Sequence, residues 1–219
     1  MGIYENVKNI LNEIPENVQI EAAAKTRNAD EILEAIKAGI TIIGENYISD
    51  LKKVYATIGK KVKWHFIGKL QKNNIRANIL EKLDMIETID NLEIAEIVNK
   101  KCANINKIMP VLIEINSGKE PQKGGILPEN TINFIQKISN LPNIKIMGLM
   151  TMGPFFDEPE KLRPYFRLTN ELFFKIKNLN IKNVEMKILS MGMSDSYKIA
   201  IEEGANLVRI GTKIFGPRS

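Results

Sequence analysis

Residues 189–218 read LSMGMSDSYKIAIEEGANLVRIGTKIFGPR, and this segment decides the fold. It begins at the end of an apolar run over 184–189, continues through a helical pattern over 195–203, and reaches a second apolar run over 207–210. A short apolar strand, a helix and another short apolar strand form the repeating unit of a parallel sheet covered by helices. The segment therefore predicts a parallel α/β fold.

The same alternation extends over the whole chain. Strands are predicted at 18–24, 41–43, 62–67, 85–88, 108–115, 144–150, 184–189 and 207–210, and helices at 30–38, 47–57, 72–82, 92–104, 128–139, 159–179 and 195–203. Strands this short and apolar on both faces are typical of a parallel sheet. About eight strand–helix units in series predict a (β/α)8 TIM barrel, with a doubly wound open sheet as the alternative. No Gly/Ser-rich or Pro-rich linker interrupts the series, so we predict a single domain over 1–219.

Composition limits the class of protein. The chain is 44% hydrophobic and 26% charged, and its formal net charge of +5 comes mostly from dispersed lysines. Because the basic residues form no dense block, no nucleic-acid partner is predicted. The single cysteine, Cys102, cannot form an internal disulfide, and the N-terminal residues lack the pattern of a signal peptide. No apolar run is long enough to span a membrane, so we expect a cytoplasmic protein without membrane contact.

Two strand-end loops suit a phosphate group. Phosphate sites of such barrels commonly lie after the seventh and eighth strands, where Ser194 and the pair Gly211-Thr212 fall. Small residues leave backbone N–H groups accessible, and a helix N-terminus favours an anion. The structural alternatives are a helix cap at Ser194, which is compatible with phosphate binding, and a simple turn at Gly211-Thr212.

Lys25 follows the apolar run over 18–24. Desolvation at the end of a buried strand favours the neutral amine, which is the form that attacks a carbonyl carbon. The alternative is a surface lysine just beyond the strand. A nucleophilic lysine together with a phosphate site is the combination that pyridoxal 5'-phosphate requires. The pattern therefore predicts that cofactor, bonded to Lys25 as an aldimine.

Arg209 lies inside the last predicted strand, where a buried charge needs a partner. One interpretation is an ion pair with a carboxylate such as Glu45 or Asp195. The other is a hydrogen bond to the pyridine nitrogen of the cofactor. Because arginine does not readily release a proton, it would hold that nitrogen unprotonated, and a neutral pyridine is a weak electron sink. This second interpretation predicts cofactor binding without strong carbanion chemistry.

The remaining polar residues carry weaker predictions. Asn46 and Asn116, at strand ends, are candidates for contacts to ring substituents. His65 is the only histidine, and beside Trp64 it is expected to be a core or strand-end residue rather than a catalyst. One histidine and one distant cysteine argue against a zinc site, and no metal is predicted. Lys123 is expected to lie in a solvated glycine-containing loop.

A set of motifs in this chain resembles one known family. The motifs are KT at 25–26, GENY at 44–47, WHFIG at 64–68, GLM at 148–150, LSMGMSD at 189–195 and VRIGT at 208–212. In this order, they resemble the pyridoxal-phosphate homeostasis proteins nearly from end to end. The resemblance implies a fold-type III barrel related to the N-terminal domain of alanine racemase.

The resemblance also implies roles for individual residues. Lys25 corresponds to the lysine that forms the internal aldimine, and Arg209 corresponds to the arginine at the pyridine nitrogen. Ser194, Gly211 and Thr212 correspond to the residues that hold the phosphate. Lys123 matches a family lysine that has been considered as a secondary cofactor contact.

The sequence favours a cofactor carrier over an enzyme. Racemases related to alanine racemase need a second domain and a second acid/base residue, and the chain has neither residues for that domain nor an obvious tyrosine for that role. We therefore expect a non-catalytic, monomeric protein that carries or buffers pyridoxal phosphate, with cofactor-requiring apo-enzymes as partners. The alternatives are a pyridoxal-phosphate-dependent amino-acid racemase and an RNA- or protein-binding barrel without a cofactor.

Overall fold

Eight parallel strands close into a barrel in the computed structural model, which describes residues 2–217. The strands are β1 (Gln19–Ala23), β2 (Ile42–Glu45), β3 (Lys63–Phe66), β4 (Met85–Ile89), β5 (Met109–Glu114), β6 (Ile144–Met150), β7 (Val184–Ser190) and β8 (Leu207–Ile210). Each strand overlaps a run predicted from the sequence, and neighbours in the barrel follow chain order. The (β/α)8 prediction is therefore confirmed, and the open doubly wound sheet is wrong.

Helices surround the barrel. They are α1 (Ile3–Glu13), α2 (Ala29–Ala38), α3 (Ile48–Ile58), α4 (Ala77–Leu80), α5 (Leu92–Ala103), α6 (Thr131–Ile138), α7 (Arg163–Asn178), α8 (Tyr197–Glu202) and α9 (Thr212–Phe215). Helix α1 precedes the first strand and packs against α2 and α9. Within residues 2–217, no helix has the length and apolar character needed to cross a membrane.

Helix α2 shows how local sequence produces these elements. The Asn28 side chain accepts a hydrogen bond from the Glu31 N–H at 3.0 Å, and the Glu31 carboxylate accepts one from the Asn28 N–H at 2.8 Å. This reciprocal capping fixes the start of the helix. Ile32 and Ala35, three residues apart, are fully buried, and Gly39 ends the helix with φ of 123°. The helix thus presents one apolar stripe to the barrel.

Closure of the barrel depends on the first and last strands. β1 pairs with β8 from Gln19 opposite Leu207 to Ala22 opposite Ile210. Because all strands are parallel, the residues that follow β1 and β8 emerge side by side at one end of the barrel. Arg27 reinforces this contact, since its guanidinium donates to the Gly216 carbonyl oxygen at 2.8 Å.

Residues 72–82 do not form the predicted continuous helix. A single 3-10 turn (Lys72–Asn74) is followed by Ile75 with extended backbone at ψ of 96°, and only then by the short α4. Asn73 and Asn74 favour turns because their side chains compete for backbone hydrogen bonds. Ile75 is only 3% exposed, and its burial is compatible with the extended backbone rather than a helix.

Gly148 is the tightest point between β6 and β7. A Cβ atom at this position would lie 1.7 Å from the Ile188 carbonyl oxygen. We expect Gly148→Ala to lower the free energy of unfolding by about 3 kcal/mol, because the sheet would have to separate there. Urea unfolding followed by circular dichroism measures this. Gly59→Ala is the matched control: Gly59 has φ of 61° but nothing within 4 Å, so it should lose only about 1 kcal/mol. Equal losses would contradict the prediction.

Candidate functional site

A cavity of about 300 Å³ opens where the strands end. Its lining residues are Ala23, Lys25, Arg27, Asn46, Ile67, Met150, Met152, Met193, Ser194, Asp195, Arg209, Gly211 and Thr212. The six residues singled out from the sequence, Lys25, Asn46, Ser194, Arg209, Gly211 and Thr212, are all among them. They follow or end the strands β1, β2, β7 and β8, which barrel closure makes neighbours. The volume lies at the lower end of the range for small-molecule sites.

Lys25 enters the cavity from the loop after β1. It is half-buried, so it is neither the plain surface lysine nor the fully desolvated amine of the two sequence interpretations. Its Nζ lies 5.1 Å from the centre of the Tyr47 ring, which contacts the ammonium through its π face. Thr26 has φ of 68°, a left-handed conformation that turns the chain sharply just after the lysine.

The loop after β7 differs from the prediction. Helix α8 begins at Tyr197 rather than at residue 195, so Ser194 does not cap it. The Ser194 hydroxyl instead accepts a hydrogen bond from the Lys213 N–H at 3.3 Å. Gly192 makes this path possible: it has φ of 87°, and a Cβ there would lie 2.6 Å from that of Ala200. The hydroxyl of Ser194 therefore joins the loop after β7 to the start of α9.

Thr212 and Gly211 also form more than a simple turn. Gly211 precedes α9, and Thr212 is its first residue. The first N–H groups of a helix have no acceptor within the helix. Both loops therefore bring small residues and backbone donors to the cavity, as the sequence predicted for a phosphate site.

A side-chain cluster beneath these loops holds them against α1. The Tyr197 hydroxyl donates to Glu13 at 2.5 Å, and the Lys213 ammonium donates to the Tyr197 oxygen at 2.8 Å. The hydrogen bond from Tyr197 is the main cause that lowers the pKa of Glu13 to about 2. Because Tyr197 lies on α8 and Lys213 on α9, the cluster fixes the two loops relative to each other.

Arg209 lies on the floor of the cavity and is 4% exposed. Its Nη1 donates to the Ser190 hydroxyl at 2.5 Å, and its Nη2 donates to the Thr151 carbonyl oxygen at 2.9 Å. Among the residues that the structure describes, these hydrogen bonds take the place of the ion pair with Glu45 or Asp195, which is wrong. The physical reason is position, because the Arg209 guanidinium on β8 lies against Ser190 on the neighbouring strand β7 and against Thr151 after β6.

The hydrogen bonds continue from Ser190 through the barrel interior. The Ser190 hydroxyl donates to Glu87 Oε2 at 2.7 Å, and Glu87 Oε1 lies 2.8 Å from Nδ1 of His65. Glu21 Oε2 lies 3.7 Å from the same nitrogen. All four side chains are buried, so His65 is a core residue. Glu21 fits because Gly44 opposite has no Cβ, which would lie 1.7 Å from Glu21 Oε1.

The charge states of these interior side chains follow from their burial and from their short distances to one another. Burial alone would lower the pKa of His65, but its contacts with Glu21 and Glu87 outweigh burial and raise it well above its ordinary value. Burial alone would raise the pKa of Glu87, but His65 and the charge of Arg209 lower it. Burial and the negative charge of Glu87 raise the pKa of Glu21. At neutral pH, Glu21 is therefore protonated, His65 is an imidazolium and Glu87 is a carboxylate.

The sequence analysis missed the two interior glutamates. Both stand in the middle of apolar strands, in QIEAA for Glu21 and MIETI for Glu87. A charge at such a position needs a buried partner, and that signal could have identified them. Ligand atoms of Glu21, His65 and Glu87 lie within 4.8 Å of one another, a spacing that a metal site also shows. His65 Nδ1 and both Glu87 oxygens have hydrogen-bond partners in the protein, whereas the two buried Glu21 oxygens have none among the described residues.

Two further residues named in the sequence analysis lie outside the cavity. The Asn116 side chain bonds to the backbone of Glu120, donating to its carbonyl oxygen at 2.9 Å and accepting from its N–H at 3.0 Å. Lys123 donates to the Gly153 carbonyl oxygen at 3.0 Å and pairs with Glu120 at 2.6 Å. Asn116 therefore does not line this cavity and bonds within its own loop, and Lys123 ties two loops together.

Residues 2–219 match the family model described as the alanine racemase N-terminal domain. The chain belongs to this family. Within it, the pyridoxal phosphate homeostasis protein of Aquifex aeolicus is 41% identical over 197 residues, which cover 90% of this chain and 85% of that protein. The human protein of the same name is 36% identical over 211 residues, covering 91% of this chain and 76% of that protein.

Solved structures of this family show the same barrel. PipY of Synechococcus elongatus, solved with PLP bound, is 26% identical with a TM-score of 0.88, over 98% of this chain and 100% of that chain. An alanine racemase of Clostridium difficile has a TM-score of 0.78 at 17% identity, which shows a shared fold. The match to the racemase covers 99% of this chain but only 57% of the racemase chain.

Buried carboxyls near the strand ends predict how stability depends on pH. Burial and the charge of Asp50 raise the pKa of Glu45 to about 8, and burial and the charge of Asp90 raise that of Glu114 to about 7. Both groups keep in the folded state a proton that the unfolded chain releases near their ordinary pKa of 4.5. Their contribution to stability therefore falls as the pH rises from 4.5 toward 8.

Glu45→Gln tests this contribution. The amide cannot ionise, so the variant should gain about 3 °C in melting temperature relative to wild type between about pH 5 and pH 8.5. Thermal melts across this range measure the gain. Glu96→Gln, at an exposed position on α5, should keep the wild-type dependence. A constant difference between Glu45→Gln and wild type at every pH would show that Glu45 is ionised in the folded protein.

Proposed function

We propose that this protein binds pyridoxal 5'-phosphate in the cavity at the strand ends and carries or buffers it without robust catalysis. The observation that supports this most directly is the gathering of Lys25, Arg209 and the Ser194, Gly211 and Thr212 loops around one cavity. These groups supply an amine, a fixed cation and phosphate-type loops, which the cofactor requires together. The names of the relatives, and the PLP bound to PipY, support the same function.

The phosphate group fits the loops after β7 and β8. Ser194 offers a hydroxyl, and Gly211 and Thr212 offer backbone N–H groups at the start of α9, where an anion is favoured. Because Lys213 binds the Ser194 hydroxyl, the two loops are already joined before any ligand enters. Such preorganisation reduces the entropy lost on binding.

Lys25 is positioned for reversible attachment. Its Nζ would bond to the aldehyde carbon of the cofactor while the aldehyde oxygen leaves as water, a step that needs no oxidant or further reactant. Addition of water would reverse the bond and release the cofactor unchanged. The cofactor can thus be held and later released, as carriage or buffering requires. We propose Asn46, the cavity residue after β2, as a contact to the ring substituents.

Arg209 supplies the argument against strong catalysis. Its guanidinium lines the cavity, and two of its five N–H donors bond to the barrel. In our proposal another donor meets the ring nitrogen and keeps it unprotonated, since arginine does not give up its proton. The cofactor, when bound, supplies an electron sink, and the unprotonated nitrogen weakens that sink.

The proposed role includes exchange with other proteins. We propose apo-enzymes that require pyridoxal phosphate as the recipients, with a monomeric, cytoplasmic carrier. The rim of the cavity carries the partly exposed side chains of Met152 and Met193, with Tyr47 beside Lys25. This accessible rim is compatible with loading and release at the open end of the barrel.

Covalent binding of the cofactor tests the proposal. We expect the wild-type protein mixed with pyridoxal phosphate to absorb near the violet edge of the visible spectrum. Borohydride reduction should then leave one adduct on Lys25, detectable by peptide mass spectrometry. Lys25→Ala should lose both signals, because the amine that forms the bond is gone.

Lys37→Ala is the matched control for this experiment. Lys37 is an exposed lysine on α2, away from the cavity, and its replacement should leave the adduct unchanged. A wild-type protein without a visible band or adduct would overturn the proposed function and favour a barrel that works without a cofactor.

Exchange of the α-hydrogen separates the carrier from a racemase. We expect the loaded protein in D2O to leave the α-hydrogen of alanine in place during a day-long incubation, because an unprotonated ring nitrogen stabilises a carbanion poorly. Proton NMR measures the exchange, with an alanine racemase assayed in parallel and free pyridoxal phosphate as the background. Exchange clearly above that background would support the racemase alternative instead.

A further inference from the structure

Arg209 is held from behind by groups that do not themselves reach the cavity. Its Nη1 and Nη2 donate to Ser190 and to the carbonyl oxygen of Thr151. Neither Ser190 nor Thr151 lines the cavity, whereas Arg209 does. The direction of the guanidinium, and therefore of its remaining donors, depends on these two contacts.

The contact between Arg209 and Ser190 depends on a further residue. A serine hydroxyl has one proton to donate and rotates freely unless an acceptor fixes it. Here the acceptor is Glu87 Oε2 at 2.7 Å, on the strand β4 across the barrel. With its proton directed to Glu87, the Ser190 oxygen presents its lone pairs to Arg209. Glu87 therefore determines which way the hydroxyl points.

Glu87 is itself fixed by His65. Nδ1 of His65 lies 2.8 Å from Glu87 Oε1, so each carboxylate oxygen has its own hydrogen-bond partner. The result is one continuous chain from His65 through Glu87 and Ser190 to Arg209. It spans strands β3, β4, β7 and β8, so barrel closure is required to assemble it.

The chain also supplies the counter-charge of Arg209. Among the described residues, the charge of Arg209 contributes to lowering the pKa of two buried carboxyl groups, Glu87 and Glu114. Burial and the charge of Asp90 raise the pKa of Glu114 to about 7, so that group is only partly ionised near neutral pH. Glu87 is held ionised by His65 and by Arg209 itself. The lasting partner of the buried cation is therefore Glu87.

We propose that Glu87 and Ser190 are positioning residues, which aim Arg209 at the ring nitrogen of the bound cofactor and balance its charge, while His65 holds Glu87 in place. This inference rests on the proposed function, since it assumes that pyridoxal phosphate occupies the cavity. It assigns a function to three buried polar residues that do not contact the cavity.

Ser190→Ala and Glu87→Gln test the inference in the full-length protein. Ser190→Ala removes the link and should weaken pyridoxal phosphate binding about tenfold, the change that follows when a buried donor loses its partner. Glu87→Gln removes the negative charge behind Arg209. This variant should bind the cofactor more weakly. It should also lower the pH midpoint of the visible band of the bound cofactor by about half a pH unit or more, because an uncompensated cation nearby disfavours a second positive charge. Fluorescence titration and absorption spectra against pH measure these two effects.

Two matched controls separate positioning from loss of stability. Ser139→Ala removes a buried serine hydroxyl that bonds only locally, to the Gln136 carbonyl oxygen, and should leave both readouts unchanged. Glu45→Gln replaces a buried carboxyl that is not part of the hydrogen-bonded series from His65 to Arg209. It should leave the pH midpoint of the visible band unchanged. A simple loss of stability would shift the melting temperature without moving that midpoint.

The outcomes distinguish this inference from the proposed function. If wild type binds the cofactor but folded Ser190→Ala and Glu87→Gln keep its affinity and pH midpoint, the positioning role is wrong. If Glu87→Gln fails to fold, Ser190→Ala alone decides, since it keeps both charges and removes a single atom. If wild type binds no pyridoxal phosphate, the proposed function fails, and the inference falls with it.

Discussion

The parallel pairing of β1 with β8 is the contact on which the rest of this structure depends. It closes the barrel and places Lys25, two residues beyond the end of β1, in the same cavity as Gly211, which follows β8. These residues lie far apart in the chain, and closing so long a loop loses entropy before any contact in the site can form. The contacts of α1 and Arg27 with the last helix add to this closure. The cavity therefore exists only in the completed barrel.

Closure also explains the polar interior. Barrel interiors of this class are usually packed with branched apolar side chains. Here a small apolar cluster of Met85, Leu112 and Met150 lies beside an arginine, an imidazolium and buried carboxyl groups. Burying such charges is unfavourable unless each finds a partner with good geometry. The hydrogen-bonded chain provides partners for Arg209, Glu87 and His65, so the strands that form it must keep their register for these charges to remain buried.

Binding a cofactor and catalysing a reaction with it need different sets of groups in such a site. In our proposal, an amine and two small-residue loops retain pyridoxal phosphate, whereas catalysis would need further acid/base groups and an electron sink. The alanine racemase that shares this barrel has a chain of which only 57% is matched here. In our proposal, the guanidinium on β8 weakens the electron sink. The protein would then carry the cofactor without using it, because an arginine faces the ring nitrogen.

Patterns in the amino-acid sequence predicted the alternation of strands and helices, the barrel and the six residues at strand ends that line the cavity. These features depend on local patterns, because apolar runs, glycines and hydroxyl residues indicate strands and turns from only a few neighbouring positions. Motif resemblance implied the same roles for Lys25 and Arg209 as the residues themselves, and these roles stay predictions. The break at Ile75 was missed although Asn73 and Asn74 favour a turn, and Ile75 is buried with an extended backbone.

The tertiary structure alone decided the partners of the polar residues. Ser194 bonds to the start of α9 rather than capping α8, and Arg209 reaches Ser190 rather than Glu45 or Asp195. Glu21 and Glu87 read as isolated charges in apolar strands until barrel closure brought them to His65. The physical reason is that a hydrogen bond needs a partner within about 3 Å, and which strands supply it across a closed barrel depends on tilt and register that no local pattern encodes.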